Sequence, residues 1–319
     1  MNDPIPIHMK SNLKGKDFLT LQDFSSSEIQ YLLELATDIK QKQKKGIVAQ
    51  PLKGKTLGMI FEKSSTRTRV SFEVGIYQLG GMGLFLSSND IQLGRGETIE
   101  DTAKILSGYL DGIMIRTFSQ TDVETLANHA NIPVINGLTD LFHPCQVLAD
   151  LLTIQEHKGS LEGQKLAYIG DGNNMAHSLL IGCAKVGMDI SIATPKGYEP
   201  DLQICEEAKS IALNTGSTIE ILEDPKQAVK NADVIYSDVW ASMGQEEEQK
   251  MREQQFHSYQ VNQQLIELAK KDVSFMHCLP AHRGEEVTVE VIDGPHSIVF
   301  EQAENRLHAQ KGLMVALMG

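Results

Sequence analysis

The chain has 319 residues, of which 41% are hydrophobic and 22% charged, and it carries a net charge of −13. That length favours two domains over a single core, and the acidic balance disfavours a general nucleic-acid binder, which is usually basic. No stretch approaches the roughly 20 apolar residues of a membrane helix, and the start MNDPIPIHMK has no basic segment followed by an apolar one, so a cytoplasmic protein is the simplest expectation.

In chain order, Ser25 to Glu28 reads as a capping box, and Ile29, Leu32, Leu33 and Ala36 follow at helical spacing. Short apolar runs then alternate with amphipathic stretches. TLGMIF (56–61), GLFLSS (83–88), GIMIRT (112–117) and PVINGL (133–138) have the character of strands, with helical patterns such as TIEDTAKILSGYL between them. A second series starts at KLAYIG (165–170) and runs through DISIAT, STIEIL, VIYSD and SFMHC. This alternation predicts an α/β protein with two domains, each a parallel sheet flanked by helices. The long helical stretch HPCQVLADLLTIQEHK separates the two series as a bridge. GQEEEQKMREQQFHSYQ (244–260) is the most polar segment, read as an exposed loop with some helix. QAENRLHAQKGLMVALMG reads as a closing helix. There is no internal repeat or low-complexity tract.

In open α/β sheets, ligands bind at the carboxyl ends of the strands, and the unusual residues of this chain collect there. SSTRTR follows TLGMIF, Arg116 and Thr117 close GIMIRT, and His143 lies just past PVINGL. GDGNN ends KLAYIG, Asp238 ends VIYSD, and HCLP ends SFMHC. One crevice between two domains would gather them.

Within SSTRTR, Ser64 or Ser65 can cap the following helix, whose free N–H groups favour an anion. Arg67 adds a planar fork suited to phosphate oxygens, and Thr66 and Thr68 add hydroxyls. The plain alternative is a capped surface helix with solvated arginines. A Walker loop is absent. His143, alone before a proline, is commonly a cap or a core residue, but a neutral imidazole with the Gln146 amide can hold a carbonyl and its amine. No second His or carboxylate stands at ligand spacing from His143, so no metal is expected. GDGNNMAHS imitates a dinucleotide fingerprint, but Met175 occupies the third glycine position and ATPKGY offers no acid for a ribose. A tight strand–helix turn is the better reading, and it leaves Asn174 available to a ligand carboxylate or amine. Asp238, at a strand end, can fix an ammonium group or cap a turn. Cys278 precedes a Leu–Pro bond that is a candidate for the cis form. Taken alone, its thiol reads as buried packing. The four cysteines, Cys145, Cys183, Cys205 and Cys278, form no C-x-x-C pair, so reduced thiols are expected.

SSTRTR, HPCQ, DVWASMG and HCLP occur in the order and approximate spacing of the carbamoyltransferase family, and the resemblance spans essentially the whole chain. SSTRTR with HPCQ resembles the carbamoyl-phosphate half common to the family. SMG and HCLP look like its ornithine branch. The resemblance implies a carbamoyl-phosphate domain over 1–147, with the helix 302–319 packing back on it, and an ornithine domain over 148–301. It implies that Ser65, Thr66, Arg67 and Thr68 hold the phosphate, and that Arg116, His143 and Gln146 hold the carbamoyl group with Arg306 nearby. Gln92 would reach in from an adjacent subunit of a homotrimer or an assembly of trimers. Asn174, Asp238, Ser242 and Met243 would bind L-ornithine, and Cys278 and Leu279 would lie between the substrates. The SMG stretch would be a closing lid, with closure excluding water. No metal, nucleotide, nucleic acid or membrane partner is implied, and no cofactor. The expected product is L-citrulline, made for arginine biosynthesis. A degradative enzyme of the arginine deiminase route and a putrescine carbamoyltransferase are the alternatives within the family. Outside it stand a regulatory binding protein that holds ornithine or phosphate, and an NAD-dependent dehydrogenase.

Overall fold

The computed structural model describes residues 12–88, 91–92, 96–241 and 249–319, the side chain of Gln249 excepted. Two compact units emerge, Met1–Leu152 with Glu304–Gly319, and Thr153–Ala303. The chain passes from one to the other inside a helix on both occasions.

In the first unit, α1 (Ser26–Lys44) opens on the expected capping box, with Ser25 accepting from the Glu28 amide and the Glu28 carboxylate accepting in return. It is followed by β1 (Thr56–Phe61), α2 (Thr66–Gln78), β2 (Met82–Ser87), α3 (Ile99–Ser107), β3 (Gly112–Arg116), α4 (Gln120–His129) and β4 (Val134–Leu138). The strands form a parallel sheet in the order β2-β1-β3-β4. Every residue of β3 and β4 is buried, which is why these strands read as unbroken apolar runs. Ile60, Ile113, Ile115, Val123, Leu126 and Val134 build a core on this sheet. β2 is an edge strand and is largely exposed.

Helix α5 (Pro144–Lys158) carries the chain into the second unit, which begins at Thr153. There β5 (Lys165–Ile169), α6 (Asn174–Val186), β6 (Asp189–Ala193), α7 (Leu202–Thr215), β7 (Ile219–Leu222), α8 (Pro225–Val229) and β8 (Val234–Ser237) follow. After them come α9 (Gln249–Phe256), α10 (Gln263–Leu268), β9 (Ser274–His277) and α11 (Val289–Ile292). The parallel sheet runs β7-β6-β5-β8-β9. Its core includes Ile169, Ile235, Phe256, Val261, Phe275 and Val291. Helix α12 (Val299–Met318) leads back to the first unit and begins a little before the expected 302.

The polar segment at 249–260 contains the helix expected there, but one face of it is not exposed. Arg252, Phe256 and Tyr259 are buried at helical spacing, and Phe256 stacks with Trp240 and meets Tyr198 edge-on. Among the described residues, no helix is long and apolar enough to cross a membrane.

Strand register sets up the candidate site. Phe61 pairs with Arg116 across β1 and β3, so the segment after β1 emerges beside Arg116. Ile169 pairs with Ser237, and Ser237 with His277, so Gly170, Asp238 and Cys278 follow three adjacent strands. In each sheet these neighbours flank the point where strand order reverses, where open α/β sheets hold ligands.

Candidate active site

In the first unit, Ser65 is the N-cap of α2. Its hydroxyl accepts from the Thr68 amide at 3.2 Å and donates to Thr68 Oγ1 at 3.1 Å. The cap leaves the first N–H groups of a 13-residue helix pointing out of its end. Thr66 is exposed on the first turn, Arg67 is half-buried beside it, and Thr68 is fully buried. The Arg306 guanidinium donates from Nη2 to Thr68 Oγ1 and from Nη1 to Gln146 Oε1, each at 2.9 Å. Gln146 in turn donates to Asp150 at 2.8 Å. α12 and α5 are thereby tied to the cap of α2, all through buried side chains.

Arg116 closes β3 and is buried, and its carbonyl accepts from the Glu62 amide. His143 stands just before α5 and is buried too. Burial holds its imidazole well below the ordinary histidine range, and the charges of Arg306, Arg116 and Arg67 push the same way. It is therefore a neutral ring among three guanidinium groups. Lys63 pairs with Asp140 and lies over the Phe118 ring at 4.3 Å, and Thr117 bonds Glu62. These pairs brace the loops around the cluster. Such a concentration of positive charge on a capped helix end suits a compact oxyanion. Gln92 is exposed, and among the described residues no hydrogen bond ties it to this cluster.

The second unit presents the opposite chemistry. Gly170 takes a φ of +147°. At Gly172 any Cβ would lie 2.3 Å from the Pro200 nitrogen, so only glycine lets these backbones meet. Asn173 then caps α6, accepting from the amides of Met175 and Ala176 at 2.9 and 3.3 Å. Its Nδ2 donates to Asp238 Oδ2 at 2.9 Å. Asp238 Oδ1 accepts from the Cys278 thiol at 3.0 Å and from the Val239 amide at 2.8 Å. Asn173, Asp238 and Cys278 thus form one line across three strand ends. Asn174, the residue expected from sequence, is the half-buried first residue of α6. Tyr168, buried below, donates to Asn173. Burial, then the negative charge of Asp238, Asp171 and Cys278, hold its phenol well above the ordinary range. Ser242 and Met243 lie outside the described residues.

Leu279 is half-buried with a φ of +58°, and its bond to Pro280 is cis. Cys278 is the one half-exposed thiol. The other three cysteines are buried, and burial pushes Cys145 up to about 12. Asp238, His277 and Cys278 offer ligand atoms within 4.8 Å of one another, as do His282, Glu285 and Glu286. Both ring nitrogens of His277 are engaged, by the Leu279 amide and by Glu286.

Sequence reading missed Asn173, whose signal was an Asn directly before an apolar helix. It also missed Arg252, which pairs with Asp171 at 2.7 Å, donates to the Trp240 carbonyl and lies over Tyr198. The spacing of Arg252, Phe256 and Tyr259 could have revealed this buried face.

Residues 16–156 match the family model described as aspartate/ornithine carbamoyltransferase, carbamoyl-P binding domain, and residues 162–317 match the Asp/Orn binding domain of the same family. The ornithine carbamoyltransferase of Oceanobacillus iheyensis is 69% identical over 97% of this chain and 96% of its own length. The solved ornithine carbamoyltransferase of Pyrococcus furiosus superposes with a TM-score of 0.95 at 56% identity, over 97% of this chain and 99% of that one. That of Campylobacter jejuni, described as anabolic, gives a TM-score of 0.88 at 43% identity, over 94% and 97%.

Proposed function

The chain belongs to the aspartate/ornithine carbamoyltransferase family, and from that premise we infer that it transfers the carbamoyl group of carbamoyl phosphate to the side-chain amine of L-ornithine, releasing L-citrulline and phosphate. The observation that carries this reading is the neutral His143 set among Arg67, Arg116 and Arg306, a site matched to a phosphorylated carbonyl compound. Ornithine is favoured over aspartate because the second unit offers Asp238 with Cys278, which suits a cation.

Ser65, Thr66, Arg67 and Thr68 bind the phosphate. Arg116, His143, Gln146 and Arg306 hold the carbamoyl group. Asn174, Asp238, Ser242 and Met243 bind ornithine, and Cys278 and Leu279 stand between the substrates. The ornithine amine, with a lysine-like pKa of about 10.4, arrives protonated. Asp238 and Cys278 orient it and help to manage the departing proton. The amine nitrogen then bonds to the carbamoyl carbon, and the carbonyl becomes a tetrahedral oxyanion. Thr68, Arg116 and neutral His143 offer donors to that charge. The carbon–oxygen bond to phosphate breaks, phosphate leaves toward Arg67, and the second proton of the attacking nitrogen passes to that phosphate. Most of the acceleration comes from positioning.

The working direction is biosynthetic, toward arginine, in line with the anabolic relative, and the compartment is the cytoplasm, in line with four free thiols. The assembly is a homotrimer, alone or as a unit of larger assemblies, with Gln92 of one subunit completing the site of the next. The exposed edge strand β2, with Met82, Leu84 and Phe85, and the exposed Val70, Val74 and Tyr77 of α2 give it an apolar surface to cover.

Citrulline formation from the two substrates, compared with aspartate and putrescine as acceptors, tests the reaction; a better turnover with either rival overturns the choice of ornithine. Reassembly of mixed Arg67→Ala and Gln92→Ala oligomers tests the shared site. Activity should rise above the mean of the parents, because some sites then carry neither lesion. No gain in verified mixed oligomers would show that each chain completes its own site.

A further inference from the structure

The turn that carries Cys278 and Leu279 is held by a group that the reaction as described does not use. Glu286 is fully buried, and so is His277 at the end of β9. The Leu279 amide donates to His277 Nδ1 at 2.9 Å. That nitrogen is therefore the acceptor, so the ring proton sits on Nε2, which faces Glu286 Oε1 at 3.1 Å. The same carboxylate oxygen accepts from the His282 amide at 2.7 Å. One oxygen thus grips the turn on both sides, through a side chain before it and a main-chain N–H after it. The turn needs such a grip, because Leu279 occupies the left-handed region at φ +58°, which a branched side chain rarely adopts. The His277 amide is anchored separately, to Gln302, which donates in turn to the Tyr236 hydroxyl.

Burying a carboxylate is costly, and the shape of the contact alone could be kept by an amide. A carboxylate adds negative charge at Nε2–H, which makes Nδ1 the stronger acceptor, as carboxylate–histidine pairs do behind metal sites. We propose that Glu286 is a positioning residue for carbamoyl transfer: through His277 and the His282 main chain it fixes the Cys278–Ala281 turn, so that the Cys278 thiol meets Asp238. The proposal rests on the functional reading above and extends it to a residue outside the binding set.

The test uses the full-length oligomer and Glu286→Gln. The variant should fold with a near-native Tm and keep its KM for carbamoyl phosphate. Its kcat/KM for ornithine should fall about tenfold or more. A second readout needs no substrate. Iodoacetamide should alkylate Cys278 several-fold faster in the variant, since the thiol is no longer held on Asp238 and the other cysteines are buried. Wild-type alkylation in Glu286→Gln overturns the proposal whatever the kinetics. If wild-type protein makes no citrulline, the functional reading has failed, and alkylation still decides the positioning role. Should Glu286→Gln not fold, His277→Asn and His277→Phe replace it. An Asn amide oxygen can take the Leu279 N–H in place of Nδ1, whereas Phe cannot. The Asn variant should keep at least about ten times the kcat/KM of the Phe variant, and equal values would overturn the proposal.

Discussion

The two units carry the same sheet logic and opposite charge. In the first, Arg67, Arg116 and Arg306 surround a neutral histidine at the carboxyl ends of parallel strands. In the second, Asn173, Asp238 and Cys278 line up at equivalent strand ends and offer a carboxylate. The architecture supplies a place where helix ends and strand ends converge. The residues placed there choose the sign of the ligand. The first unit extends the theme into its interior, where Lys40 and Lys311 are buried. Lys40 is held by Asn305, and Lys311 by Gln43 and Gln78. Burial lowers Lys311 to about 8.

If the sign of each half governs function, the halves should fail separately. The largest loss is expected from Arg67→Ala, on the order of 3 kcal/mol of transition-state stabilisation, with carbamoyl-phosphate affinity falling in step. Near-normal turnover and affinity would remove Arg67 from the phosphate site. Asp238→Asn should cost about 2 kcal/mol, since a hydrogen bond to a charged group is lost. It should weaken ornithine while carbamoyl phosphate still binds in equilibrium titrations; weakening of both alike would break the division of labour.

A smaller effect separates the halves by pH. With chemistry rate-limiting, the rate should climb up to about tenfold per unit from neutral into alkaline solution, because only the deprotonated amine attacks. His143 should add no limb near its ordinary range, since it is already neutral there. A flat profile would contradict direct attack by the amine. The smallest effect concerns stability. His308 is lowered to about 4, first by burial and then by the charge of Lys40, from an ordinary value of 6.5. The unfolded chain therefore binds the extra proton first, and stability present above about 6.5 is lost as pH falls toward about 4. His308→Gln should flatten that acid limb by a few degrees of Tm. An unchanged slope would detach His308 from the buried cations.

Much of this was legible in the sequence, for a physical reason. Strands buried on both faces must be apolar throughout, so the runs beginning at Thr56, Gly112 and Lys165 marked β1, β3 and β5 to within a residue. The cap at Ser65 was legible because few side chains can satisfy a helix end. What escaped depends on partners distant in the chain. Nothing near Arg252 announces Asp171, and the polar residues around it mask its buried face. That Asn173 is the cap of α6 turns on which residue leaves the helical backbone, and two identical neighbours cannot reveal that. Nothing in the sequence around Glu286 marks it as buried; its contacts with His277 and His282 do.

The return of α12 to the first unit reaches back into how the protein is made. Arg306, which bridges Thr68 and Gln146, is translated only after the whole of the second unit. At roughly 5–20 residues per second, the segment carrying Thr68 waits on the order of ten seconds or more for its guanidinium. The strand ends that bear Asp238 and Cys278 are thus made before the cationic half can be finished, because that half waits for α12. A product that stalls or is cut before Glu304 keeps Asp238 and Cys278 and lacks the bridge. Catalytic competence in this fold therefore waits on a residue made after the whole of the second unit.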